Sequence, residues 1–151
     1  MNNADQIRQH KVTAIRAMLG QDLDEGYVWE ALQMPGSGVF AVHGRRLHKG
    51  HRPLAGVGDR VAALLVAGDA YHQNVDVGTT SRLISDRCSN NRLAQVCLAH
   101  GLDKHINVNP SHVGPLGQTT TSATVEALIG AAYHSGGLDM ARRVMERLGL
   151  I

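Results

Sequence analysis

Apolar residues recur along this chain at helical spacing, and seven stretches stand out. Val12, Ile15 and Leu19 mark one face of a helix over Gln6–Leu19, which Gly20 stops. A second short helix is predicted over Glu25–Met34, with Val28, Ala31 and Leu32 on one face and Pro35-Gly36 at its end. An irregular stretch follows from Gly36 to Gly50, with one small extended piece at Val39–Val42. Pro53 suits the first turn of a third helix running to about Tyr71. Over Val61–Ala67 that helix is apolar almost all round, which predicts a central, buried position. Gly56 and Gly58 weaken its first turns.

Gly78-Thr79-Thr80 opens a fourth helix carrying Leu83, Ile84 and Cys88. Ser89-Asn90-Asn91 caps a fifth with Leu93, Val96, Cys97 and His100 on one face, and Gly101 stops it. Residues 107–118 read as a loop holding Pro110 and Pro115. The run Thr119 to Ser122 caps a sixth helix that ends at Gly136-Gly137. The last helix, Leu138–Leu148, turns Leu138, Ala141, Val144, Met145 and Leu148 inward. The pattern predicts an all-α fold of about seven helices with almost no strand. Residues 1–5 read as a loose tail; the flexible lead-in is residues 1–9 and the single domain residues 10–151.

Composition narrows the class. Hydrophobic residues make up 43% of the 151 and aromatics only 3%, so the core is aliphatic rather than that of a sheet-rich protein. A formal charge of +2 does not by itself point to nucleic acid. Cys88 and Cys97 form no CxxC pair and read as reduced thiols of an intracellular protein, its compartment (nucleus, cytoplasm or mitochondrion) open. The nine histidines show no zinc-ligand spacing. The polar start predicts no signal peptide, and the apolar run at 61–67 is too short to span a bilayer, so no membrane partner is expected.

Two segments place a lone acid in an apolar helix. One runs Gly50-His-Arg-Pro-Leu-Ala-Gly-Val-Gly-Asp59-Arg-Val, the other Thr124-Val-Glu126-Ala-Leu-Ile-Gly-Ala-Ala-Tyr. Composition alone reads each acid as sitting near a helix N-terminus, where a negative charge gains roughly 0.3–1 kcal/mol. The segments together carry more. The first is similar to the ribonuclease III signature N-E-R-L-E-F-L-G-D-x-V-L, and the second resembles that family's D-x-x-E-A-L-I-G-A-x-Y. Between them, Ser89-Asn-Asn-Arg-Leu-Ala-Gln-Val-Cys-Leu-Ala-His-Gly-Leu-Asp resembles S-N-x-x-L-A-x-V-A-x-x-L-G-L-D. Gly136-Gly137-Leu138 and the helix with Ala141-Arg142-Arg143 resemble the family's end, and the motifs stand in the family's order.

The resemblance implies an all-helical endonuclease domain that pairs into a homodimer. It also implies acids that bind magnesium or manganese to hydrolyse double-stranded RNA. Positions 55 and 59, and 123 and 126, would each share a helix face. Here the pattern breaks. Ala55 and Ala123 stand where the family has metal-binding acids, and Arg52 reverses the charge of its outer glutamate. Asp59 and Glu126 alone are kept, as vestigial catalytic and metal-binding residues. Alanine preserves the helices while deleting the ligands. Losing two of four carboxylates is expected to weaken magnesium binding by orders of magnitude, since unit charges about 4 Å apart interact by roughly 4 kcal/mol at an effective dielectric near 20. No cofactor is therefore expected, magnesium or manganese serving only residual activity.

A basic run, Arg45, Arg46, Lys49, Arg52 and Arg60, adjoins the signature. It reads three ways: a solvated loop, a contact to RNA phosphates, or a charge compensator in which Arg52, ahead of Arg60, pairs with Asp59 or Glu126 in place of the ion. No aromatic interleaving supports base stacking, Phe40 being the only phenylalanine. The family's socket-filling phenylalanine falls on Gly56, so a homodimer is expected with an interface different in detail. No double-stranded RNA-binding domain is expected to accompany the nuclease-like one. The leading reading is a catalytically degenerate ribonuclease III domain, similar to inactive ones in fungal proteins, acting as a homodimeric RNA- or protein-binding scaffold. The alternatives are an active endoribonuclease with a reduced metal site and a structural subunit of a ribonucleoprotein such as a mitochondrial ribosome.

Overall fold

The computed structural model describes residues 2–151. Six α-helices account for most of it: α1 Asn3–Leu19, α2 Glu25–Ala31, α3 Arg52–His72, α4 Val77–Cys88, α5 Asn90–Ala99 and α6 Gln118–Arg147. A two-stranded hairpin, β1 Ala41–Val42 and β2 Arg45–Arg46, lies between α2 and α3, and one 3-10 turn, Leu102–His105, follows α5. Helix α6 is broken where Gly136 and Gly137 leave helical geometry, Gly137 at φ 74°. Its two arms, residues 118–135 and 138–147, are the sixth and seventh helices of the sequence pattern, joined by a kink.

The middle of the fold is the crossing of α3 with the first arm of α6. Two glycines permit it. A Cβ at Gly58 would lie 1.7 Å from the Glu126 carbonyl oxygen, and one at Gly130 would lie 2.5 Å from that of Leu54. Gly58 is therefore a packing residue, its helix-propensity cost offset by backbone approach. Around the crossing, Leu54, Val61, Leu65, Val125, Leu128 and Ile129 are buried, with Val12, Ile15 and Leu19 of α1 and Val144 and Met145 of α6 closing the core. Arg142 ties the second arm back to α3 through a bidentate pair with Asp69, at 2.7 and 2.9 Å.

Local details depart from the sequence pattern for physical reasons. The lead-in is helical: Asn2 caps α1 by accepting from the Asp5 N–H at 2.8 Å, so residues 3–9 are not a flexible tail, and Met1 lies outside the described residues. Helix α2 stops at Ala31 because the chain turns out to pair with the later loop, Asn107 N–H donating to the Leu32 carbonyl and Met34 N–H to that of Asn107. Helix α4 is capped by Asp76, not opened by Gly78, and none of its residues is buried. The hydroxyls of Thr121, Ser122 and Thr124 donate to carbonyls one turn back, so they lie inside α6 and do not cap it. Leu64 and Leu138, expected inside, are 56% and 40% exposed.

The crossing sets a stability prediction. Gly58→Ala forces a methyl group into backbone and should destabilise by about 3 kcal/mol in urea unfolding. Gly68→Ala on the same helix meets nothing within 4 Å and should be neutral or stabilising by about 0.5–1 kcal/mol.

Candidate active site

Asp59 and Glu126 are held by the crossing itself, since each sits one residue from, or at, a point of backbone contact between α3 and α6. Both lie beyond the first helical turn, so the N-terminal dipole does not account for them. They open on a recess of about 230 Å³ walled also by Arg52, Ala55, Asn90, Ser122 and Ala123. Asp59 is half exposed while Glu126 is partly buried. Burial first, then the Asp59 charge and a hydrogen bond to it, push Glu126 up to about 7 from 4.5, with Arg60 opposing. The two carboxyl groups thus form an interacting pair that shares the recess.

Ala55 and Ala123 are 6% and 8% exposed and belong to the same wall. They are where the third and fourth carboxylates of a four-acid centre would project. Among the described residues no group of three or more acids, histidines or cysteines gathers anywhere. Besides the pair, the oxygen donors at the recess are neutral: Asn90, Thr119 and Ser122. The residues present do not fit the four-carboxylate ion centre that the resemblance implies.

The basic residues disperse. Arg60, not Arg52, is the cation near the pair: its Nη1 donates to the Gly56 carbonyl at 3.1 Å, and folding back along the helix brings it 3.7 Å from Asp59 Oδ2. Being 80% exposed, it compensates little. Arg52 stands at the rim of the recess without an ion pair to either acid among the described residues. Arg45 turns away to the buried carboxylate of Glu30. Arg46 and Lys49 are exposed.

Two groups near the pair were given no role there by the sequence. Cys88 lies in the field of the pair: burial, then the charges of Asp59 and Glu126, raise its thiol against the pull of Arg87. His51, just ahead of Arg52, is fully buried with Nε2 3.0 Å from Thr124 Oγ1. The Thr124 hydroxyl donates to the Thr120 carbonyl at 2.8 Å, so it accepts from His51 Nε2–H, and Nδ1 is left bare. Burial and the Arg52 charge push His51 down to about 4. It braces the start of α3 against α6 as a neutral ring. Sequence placed Cys88 on the fourth helix and His51 in the first segment, but no spacing tied either to the acids.

This geometry matches a known family. The ribonuclease III domain model matches residues 52–137, and the chain belongs to that family. It is 27% identical over 138 residues to the protein called Ribonuclease 3 of Methylocella silvestris, covering 89% of this chain and 57% of that one. The chain thus spans little more than half of that relative. Two structures of the nuclease domain of ribonuclease III from Campylobacter jejuni share the fold. One, described for flexibility in a region involved in dimer formation, superposes with a TM-score of 0.69 at 19% identity, over 91% of this chain and 93% of that one. The other gives 0.65 at 20% identity, over 98% and 94%.

The carboxyl pair predicts a pH signature. With its folded pKa raised, Glu126 keeps a proton that the unfolded chain releases, so stability falls as pH rises from 4.5 through about 7. Glu126→Gln removes that loss. The variant should exceed the parent by about 1–2 kcal/mol near pH 8, after allowance for solvent screening. The gap should close near pH 4.5, as read by urea unfolding at the two pH values.

Proposed function

We propose that this chain is a catalytically reduced ribonuclease III-family domain that binds RNA as a homodimeric scaffold. The observation that carries the reading is the recess itself: two interacting acids where Ala55 and Ala123 complete the wall. A divalent cation drawn to four carboxylates loses half its charge complement here, and hydrolysis that depends on such an ion loses its Lewis acid and its activated water. The helix faces are kept, because alanine holds a helix as well as any residue.

A second reading, a working endoribonuclease with a reduced site, is favoured by one observation. The two retained acids converge on one recess, and magnesium commonly takes only one or two carboxylates beside water and substrate phosphates. The relative's name, Ribonuclease 3, agrees with it. One experiment separates the two. Incubated with long double-stranded RNA and magnesium or manganese, the protein should leave the RNA intact. Ala55→Glu with Ala123→Asp should introduce cleavage by at least about 100-fold, on the scale of lost metal ligands. Cleavage by the unaltered chain that Asp59→Asn abolishes would overturn the scaffold reading.

The dimer rests on an apolar stripe. Val57, Leu64 and Tyr71 recur at two-turn spacing along α3, with Leu64 56% and Tyr71 79% exposed. Helix α4 beside it has no buried residue, and Val77 is 83% exposed. Gly56 borders the stripe with only Arg60 Nη1 near its missing side chain, at 3.7 Å, so no protruding ring marks the interface. Patches of this kind mark protein contacts. Leu64→Asp should convert the dimer to a monomer in sedimentation with the far-ultraviolet spectrum unchanged. A monomer already in the unaltered chain would sink this part of the reading.

A further inference from the structure

One carboxylate is buried away from the acid recess. Helix α2 packs on α3 and α6 and carries Glu30 inward, its side chain only 3% exposed. A buried charge needs a partner, and Arg45 of β2 supplies it, Nη2 donating to Glu30 Oε1. The second oxygen, Oε2, has no hydrogen-bond partner among the described residues. Among those residues the side-chain atoms sealed from solvent without a partner are Arg16 Nε and His51 Nδ1, so Oε2 is unbonded but not sealed.

Glu30 lines a cavity of about 250 Å³ where α2, the hairpin, α3 and α6 meet. Leu54 and Val57 of α3 give it an apolar side. Tyr27 and His134 give it an aromatic one, their rings stacked with centroids 5.2 Å apart and planes 20° from parallel. Arg45 also lines the cavity and is 56% exposed, so its guanidinium keeps N–H groups beyond the one spent on Glu30. Val57 begins the apolar stripe of α3, and the acid recess shares no lining residue with this cavity.

Two carboxylate oxygens followed by an arginine N–H present acceptor, acceptor and donor in a row. The cavity stands at the small end of ligand sites and suits one flat ring system. Among the bases of RNA, guanine alone carries two adjacent donors beside an acceptor, as N2–H, N1–H and O6. We propose that this cavity is a guanine-binding pocket. Glu30 accepts from N2–H and N1–H, an Arg45 N–H donates to O6, and the ring lies against the Tyr27–His134 wall with Leu54 and Val57 beneath it. Reading a base by this edge together with an aromatic face requires that it be unpaired. The base therefore comes from an unpaired guanosine of RNA or from a free guanine nucleotide. The pocket goes beyond the scaffold reading and uses neither Asp59 nor Glu126.

The test is a saturation-transfer NMR titration of the full chain with GMP, IMP, AMP and UMP, which share a phosphate and differ in the base. GMP should bind at least about 10-fold more tightly than AMP or UMP, the scale of one hydrogen bond to a charged group. IMP lacks the 2-amino group and should lose about 10-fold against GMP without any change to the protein. Glu30→Gln keeps an oxygen for Arg45 and sets an amide N–H against the base; it should erase the GMP preference, with urea unfolding as the check on the fold. His134→Ala, at an exposed position, should weaken GMP and AMP alike by about 10-fold, the scale of one base–aromatic stack. GMP and AMP bound equally would overturn the guanine assignment, and a preference that survives Glu30→Gln in a folded protein would overturn this pocket as its seat. An oligouridylate with one central guanosine, set against an all-uridine control, separates the sources. A gain matching that of GMP assigns the base to RNA, and no gain overturns RNA as the source while the nucleotide result stands. Failure of both oligonucleotides to bind at low salt counts against the RNA-binding reading alone, since the mononucleotide titration does not depend on it.

Discussion

Backbone approach at Gly58 and Gly130 is the constraint on which the rest of this structure depends. A methyl group at either position would sit inside the opposite helix's carbonyl. With both absent, α3 and the first arm of α6 come close enough to bring Asp59 and Glu126 to one recess. The same closeness raises Glu126, because burial and a neighbouring charge act together. Packing and electrostatics at this site are therefore one fact. A looser crossing would separate the acids, solvate both, and leave nothing to distinguish them from surface carboxylates.

Much of this was legible beforehand, and the reasons divide by residue. Helical periodicity located every helix because aliphatic faces repeat over several turns, as Val12, Ile15 and Leu19 do. The motifs around Asp59 and Glu126 placed the chain in one family, and both acids line one recess. Boundaries fared worse where the decisive partner is remote in sequence. Asn107, which draws the chain out of α2, is invisible to local reading. Gly58 looked like a weak helix residue because propensity does not see the opposing helix. Arg60, not Arg52, reached Asp59 because a long side chain can fold back on its own helix to Gly56.

The two alanines shape the recess in which the acid pair stands. Ala55 and Ala123 are buried small residues, so the recess stays open instead of filling with apolar side chains. Larger apolar side chains at these positions would gain by packing that space. Here Glu126 remains partly dehydrated, with the exposed Arg60 near its partner Asp59.

Two titrations at the crossing oppose each other. His51 is held down to about 4, so the unfolded chain takes up its proton first, and this ring costs stability as pH falls from 6.5 toward 4. Glu126 is held up to about 7, so the unfolded chain gives up its proton first, and this acid costs stability as pH rises from 4.5 toward 7. In the shared window, from 4.5 to 6.5, the slopes have opposite sign and largely cancel. Below it the histidine governs and above it the glutamate. At neutral pH the histidine has ceased to cost anything while Glu126 bears nearly its full penalty. The fold thus carries the cost of a partly buried Glu126 at neutral pH. The cost falls on the one acid that the α3–α6 crossing buries, because Asp59 beside it stays half exposed.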